Sequence, residues 1–208
     1  MESTTDQQEH RDFLNKYYGV SRWFYDLTRK YYLFGRDTAL RELARQPWRT
    51  LIEIGPGTGR NLKKLRKLKP NAILGGVEAS DAMLEFARER CPDIRWMQGF
   101  AESTDYTELL GERPDRVLFS YCLSMVQARE EAVEQARRSV SEGGEVVIVD
   151  FADLNGLPEP LASGLRKWLN TFHVYPLEHE LLSKFTDNIK YGPGRYFVIA
   201  RIPGVRDD

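Results

Sequence analysis

Cysteine is nearly missing from this chain: Cys91 and Cys122 are the only two among 208 residues. They lie far apart, neither belongs to a C-x-x-C, and no histidine stands beside them. A disulfide framework and a zinc site are therefore not expected, no metal ligand is assigned, and a reducing, cytoplasmic compartment is the default. Cys122 is at most a nucleophile candidate, because free cysteines are usually small buried hydrophobes. An excess of one charge is missing too. Lys plus Arg number 30 against 31 Asp plus Glu, a net of −1, which argues against a partner as anionic as nucleic acid. No apolar run approaches the ~20 residues of a membrane span. The polar start, MESTTDQQEHRD, reads as no signal peptide, and residues 1–11 read as a disordered tail.

What is present is an alternation. From Asp12 to Gln46 the pattern is helical, with a break near Gly35. Strands are then expected at 49–54 (RTLIEI), 73–78 (ILGGVE), 94–98 (IRWMQ), 116–121 (RVLFSY) and 145–151 (EVVIVDF). Helices are expected between them at 59–68, 80–90 and 129–140, the second capped by Ser80 or Asp81. Five short strands separated by helices imply a parallel sheet covered on both faces, with right-handed crossovers. Helical patterns follow in LASGLRKWLNTF and LEHELLSKF, and 188–202 reads as a hairpin around Gly192-Pro193-Gly194. The expected architecture is α/β: one domain over 12–208, with an N-terminal helical lid at 12–46.

The first strand ends in LIEIGPGTGRN. A glycine-rich turn between strand one and helix one of such a sheet is a ligand site, because glycine allows positive φ and close approach to the backbone. The spacing is G-x-G-x-G (Gly55, Gly57, Gly59). Arg60 occupies the place where a dinucleotide fingerprint needs its third glycine. Glu53 puts a carboxylate at the turn, which suits a cationic ligand better than a pyrophosphate. Glu78 closes the second strand, where an acid accepts from ribose hydroxyls. Ribose with free hydroxyls, no pyrophosphate and a positive charge together point to S-adenosylmethionine, with S-adenosylhomocysteine as its product.

These residues resemble the class I S-adenosylmethionine-dependent methyltransferases, which implies a Rossmann-like fold with a mostly parallel seven-stranded sheet. FYDLTRKYYLFGRD (24–37), GTGRNL (57–62), FSYCLSM (119–125), VDFADL (149–154) and RKWLNTFHVYP (166–176) more narrowly resemble the betaine-lipid N-methyltransferases. Those enzymes trimethylate the amino group of diacylglyceryl-homoserine. The resemblance implies Tyr25 at the methionyl carboxylate or the amine, more weakly Arg36 beside it, and Asn61 in the cofactor turn. That family carries an acid where Phe100 stands here, so either Phe100 stacks on adenine or Glu102 substitutes, with Ala79 and Ala101 alongside.

Methyl transfer from a sulfonium requires a neutral amine in line with the methyl carbon and exclusion of water, but no covalent nucleophile. Aromatic faces accommodate the quaternary ammonium product. Ser120, ending strand four, is expected near the methionine part of the cofactor, and Tyr121 near the amine or as a buried tyrosine with a satisfied hydroxyl. Met83 is expected on adenine or in the core of its helix. His173 is either a proton relay or a structural histidine. The aromatic N-terminal stretch allows three readings: packing on the sheet, a lid, or a basic-aromatic membrane contact. The acceptor is an amine, either a homoserine-type lipid headgroup or a soluble amino acid or amine. The sequence leaves the oligomeric state open.

Overall fold

The computed structural model describes residues 33–205. Seven strands form one sheet in the order β3-β2-β1-β4-β5-β7-β6. They are β1 (Thr50–Ile54), β2 (Ile73–Glu78), β3 (Arg95–Gln98), β4 (Arg116–Ser120), β5 (Glu145–Phe151), β6 (Ile189–Tyr191) and β7 (Phe197–Pro203). The first five pair in parallel; β7 runs antiparallel to both β5 and β6. The helices are α1 (Arg36–Ala44), α2 (Arg60–Leu68), α3 (Asp81–Arg90), α4 (Tyr106–Leu110), α5 (Arg129–Ser139), α6 (Glu159–Asn170) and α7 (His179–Ser183).

Strand periodicity explains the two cores. The central strands are buried along both faces, so they read as continuous apolar runs rather than alternating ones. Ile52, Val117, Phe119, Val146 and Ile148 face one side and pack with Ala132, Val133 and Ala136 of α5. Leu51, Leu118 and Val147 face the other and pack with Leu40 and Leu43 of α1 and Leu62 and Leu65 of α2. Glu53 and Ser120 share the parity of Leu51 and Leu118. They therefore lie on the face covered by α1 and α2. The paired glycines of β2 also have a packing reason: a Cβ on Gly76 would stand 2.4 Å from the Trp96 ring.

Two expectations changed. The fourth strand stops at Ser120, because Tyr121 turns to φ 55. α4 has no counterpart in the sequence reading; Asp105 caps it, accepting from the Thr107 N–H at 2.8 Å. At the expected break, Gly35 has φ 75 and caps the start of α1. Residues 1–32 lie outside the described residues, and with them the N-terminal tail and most of the lid expectation. Among the described residues no helix is long and apolar enough to cross a membrane.

Candidate active site

The chain leaves β1 toward β2 on one side, while β4 flanks β1 on the other. This is the point where an open α/β sheet opens a crevice at the carboxyl ends of its strands. Gly55 (φ 60), Gly57 (φ 55) and Gly59 (φ 73) line it, all in the left-handed region that favours glycine. Gly55 has a steric reason as well. A Cβ there would stand 2.3 Å from the Sγ of Cys122, just past the end of β4.

Glu53 is buried beneath this turn. One carboxylate oxygen, Oε1, accepts from Asn61 Nδ2 at 2.7 Å. The other, Oε2, is buried and has no partner among the described residues. Burial pushes the Glu53 carboxyl up to about 7, against the Asn61 hydrogen bond and the nearby charge of Arg36; Glu78 adds to the rise. Asn61 also donates to Ser120 Oγ at 3.1 Å, tying β1, α2 and β4 together. Glu78 Oε2 accepts from the Gly57 N–H at 3.0 Å and Oε1 from the Ser80 N–H at 3.0 Å.

Arg60, in place of a third glycine, begins α2 and reaches back to Asp37 on α1 at 3.1 Å, while Lys64 reaches the same carboxylate at 3.0 Å. Burial opposes the charge of Asp37, but the two cations outweigh it and hold its carboxyl down to about 2. α1 is thus clamped to the helix that follows the glycine turn, which keeps Arg36 buried near Glu53.

The other side of the crevice is aromatic. Tyr121 packs edge-on against Phe151 at 4.7 Å, Phe151 against Tyr196 at 5.7 Å, and Tyr196 against Phe34 at 5.5 Å. The Tyr121 hydroxyl donates to the Phe34 carbonyl, and burial pushes its phenol up. This is the buried tyrosine with a satisfied hydroxyl, holding the chain where it enters α1. Beyond it, Asp150 is fully buried and accepts from the Ser124 N–H at 3.0 Å and the Phe151 N–H at 2.8 Å. Burial raises its carboxyl, with the Ser124 and Phe151 bonds and Arg129 opposing.

The structure brings Glu53, Gly55, Gly57, Gly59, Asn61, Glu78 and Ser120 together at the crevice. Ala79 follows Glu78, its carbonyl accepting from Gln98 Nε2 at 3.4 Å. Phe100, Ala101 and Glu102 form the turn after β3, with the Ala101 carbonyl held by the Tyr106 hydroxyl at 2.6 Å. Met83 is only 1 % exposed, on the buried face of α3. His173 is exposed and takes the left-handed position (φ 54) that ends α6. Its N–H donates to Asn170 O at 3.0 Å and the Val174 N–H donates to Leu169 O at 3.2 Å. Leu169 and Val174 pack in one cluster. This is a Schellman ending with its apolar contact, and it gives the His173 backbone a helix-terminating place. Tyr25 lies outside the described residues. Sequence reasoning missed the Cys122–Gly55 contact and the Tyr121–Phe34 bond; nothing in local periodicity signals either. Among the described residues no group of His, Cys, Asp and Glu could hold a metal ion.

The strand order, the antiparallel β7 and a glycine turn at the β1–β4 switch point define a Rossmann-like methyltransferase fold. Residues 51–144 match the model of the methyltransferase domain. The chain is 24 % identical over 157 residues to the ubiquinone/menaquinone biosynthesis C-methyltransferase UbiE of Vibrio cholerae, covering 70 % of this chain and 56 % of that protein. It is 28 % identical over 125 residues to an uncharacterized methyltransferase of Anoxybacillus flavithermus, covering 58 % of this chain and 56 % of that one. The chain thus spans little more than half the length of the curated relatives it matches. Among solved structures, a SAM-dependent methyltransferase of Thermotoga maritima superposes with a TM-score of 0.63 at 21 % identity, over 89 % of this chain and 98 % of that one. The sugar N-methyltransferase KedS8 from Streptoalloteichus superposes with a TM-score of 0.53 at 24 % identity, over 64 % and 54 %.

S-adenosylmethionine is the cofactor of this domain, and the residues present fit it. The partnerless buried oxygen of Glu53 suits a cationic amino-acid end, Glu78 suits a ribose, and the glycine turn leaves room for both.

Proposed function

We propose that the protein is an S-adenosylmethionine-dependent N-methyltransferase whose acceptor is the amino group of a homoserine-type betaine-lipid headgroup precursor. The observation that carries N-methylation is the aromatic cluster beyond β4 and β5, in which Phe34 is exposed and Tyr196 half-buried, backed by the buried rings of Tyr121 and Phe151. Such faces stabilise an ammonium that gains methyl groups, by about 0.5–2 kcal/mol per favourable contact. When bound, S-adenosylmethionine supplies a methyl group on a sulfonium, a good leaving group. The work left to this chain is positioning. The glycine turn and Glu78 hold the nucleoside, Glu53 balances the positive amino-acid end, and the rings orient the amine lone pair while excluding water. The homoserine-type acceptor is supported by the resemblance of residues 24–37, 119–125 and 166–176 to betaine-lipid N-methyltransferases.

A soluble amine acceptor is favoured by a different observation: KedS8, described as a sugar N-methyltransferase, shares the fold. One experiment separates the two. The protein is incubated with S-adenosylmethionine and either diacylglyceryl-homoserine in micelles or a panel of soluble amines and aminosugars, and products are weighed by mass spectrometry. Masses increased by one to three methyl groups in the lipid set alone are the expected result. Turnover in the soluble set alone moves the assignment to a soluble amine. Products methylated at carbon or oxygen, located by fragmentation, overturn N-methylation.

A further inference from the structure

Among the described residues, four that are not glycine hold the left-handed backbone: Tyr121 (φ 55), Leu154 (φ 63), His173 (φ 54) and Arg195 (φ 50). None lies in the cofactor turn, where Gly55, Gly57 and Gly59 take that conformation without strain. Three of the four flank the aromatic cluster. Tyr121 is one of its rings, Leu154 follows β5, and Arg195 immediately precedes Tyr196. A residue with a Cβ is strained in that region and stays there only when its neighbours over-determine it.

At Arg195 those neighbours are specific. Its guanidinium forks onto the Asp153 carboxylate: Nε donates to Oδ1 at 2.8 Å and Nη2 donates to Oδ2. The Asp153 side chain is only 10 % exposed, so the pair is shielded on the carboxylate side. A forked arginine–carboxylate pair fixes geometry as well as charge. Asp153 is itself set, since Oδ1 also accepts from the Asn155 N–H at 3.0 Å. On its other side the guanidinium lies 3.9 Å from the centre of the Tyr191 ring of β6. Backbone bonds run beside the pair: the Ala152 N–H donates to the Tyr196 carbonyl at 3.1 Å, and the Leu154 N–H to the Arg195 carbonyl at 3.1 Å. Gly156 closes on Gly194, where a Cβ would stand 2.8 Å from the Gly194 carbonyl carbon. The segment after β5 and the turn before β7 are thus clasped together. The next residue along the clasped turn is Tyr196, whose half-buried ring lies 5.7 Å from Phe151 and 5.5 Å from Phe34.

We propose that Asp153 and Arg195 are positioning residues for the acceptor: their forked pair keeps the Arg195 backbone left-handed and so holds the Tyr196 ring in the aromatic cluster. This rests on the reading of that cluster as the acceptor side. Neither residue touches the acceptor. Without the fork, Arg195 is released to a negative φ, and the rotation swings the Cα–Cβ bond of Tyr196 away from Phe151 and Phe34. A displacement of about 1 Å in a positioning group is enough to slow a reaction by up to ~100-fold. A glycine at this position would take the same φ unaided, as Gly194 does at φ 62. The arginine adds a fixed attachment to the segment that leaves β5.

Two readouts test it. The first needs no acceptor. In protein labelled on its tyrosine rings, the Tyr196 signal is assigned by its loss in Tyr196→Phe and followed by NMR in Asp153→Asn. It is expected to move toward the position of free tyrosine, while the signal of the buried Tyr106 stays. An unmoved Tyr196 signal overturns the proposal. The second is kinetic, with diacylglyceryl-homoserine in micelles or whichever soluble amine turns over. Asp153→Asn is expected to lower kcat/KM for the acceptor about tenfold or more, with S-adenosylmethionine affinity unchanged by calorimetry and part of the loss restored in Asp153→Glu. The double variant Asp153→Asn/Tyr196→Ala is expected to be no slower than Tyr196→Ala alone, because the pair acts through that ring. Losses that add overturn the proposal, as does an equal loss of cofactor affinity. Arg195→Lys, which keeps the charge without the fork, carries the same expectations and decides if Asp153→Asn melts as a whole. Should the unchanged protein turn over no amine, the acceptor reading fails, and the ring signal still decides between a held and an unheld Tyr196.

Discussion

Glu53 sits in a costly environment. It is buried with one oxygen satisfied and one not, and its carboxyl is raised from 4.5 to about 7 by burial. The folded state therefore holds this proton more tightly than the unfolded state does. Stability must fall as pH climbs from about 4.5 through 7, and the full cost of ionisation, on the order of 3 kcal/mol, is present above that range. Glu53→Gln keeps the shape and an oxygen for Asn61 but cannot ionise. Thermal melts between about pH 5 and pH 8 should show the unchanged protein losing stability while Glu53→Gln stays level. Calorimetry at the upper end should show S-adenosylmethionine binding weakened about tenfold or more in the variant, because a buried cation loses its counter-charge. A parallel pH profile in both proteins would mean that Glu53 does not titrate in this window. The same residue shows what the sequence made legible. Glu53 and Glu78 are found by counting from the glycines, because strand ends and turn spacing are local properties.

At the scale of elements, the end of α6 gives the clearest test. His173 sits in a left-handed conformation at the position where glycine is the usual residue. His173→Gly removes the Cβ strain and should stabilise the protein by about 1 kcal/mol, read as a shifted urea midpoint with methyl transfer unchanged. A fall in the transfer rate without a change in stability would return His173 to the chemistry. The bounds of β2 and β5 match the sequence pattern residue for residue, because buried parallel strands are short, uninterrupted and flanked by turn residues. α4 escaped the pattern because Tyr106–Leu110 is too short for a helical period to appear. Tyr121 escaped as well: its apolar run continues the strand, yet the backbone turns there because Val149 takes its N–H and Phe34 its hydroxyl. Both partners are distant in sequence, and no local signal reports them. The contact between Cys122 and Gly55 is of the same kind, a long-range packing fact that composition reduces to one cysteine and one glycine.

At the scale of the whole molecule, the sheet depends on β7. It pairs with β5 along seven residues, from Glu145↔Pro203 to Phe151↔Phe197, and it is the strand that attaches β6. Removing residues 197–208 strips the partner from a long apolar strand, and an uncovered edge of that kind invites pairing with other chains. Size-exclusion chromatography of the truncated protein should show aggregates instead of a discrete species. A soluble, discrete truncated protein would mean that β1–β5 close their own edge. The strand order also sets a timetable. The chain emerges from the ribosome at roughly 5–20 residues per second, so a few seconds separate the end of β5 from the arrival of β7. During that interval the cofactor half can already be assembled while its flank is still bare, and β6 has been made with nothing to hold it. The nascent protein thus has a ligand site before it has a finished sheet. S-adenosylmethionine would then be a scaffold for an unfinished chain before it is a reagent for the finished one.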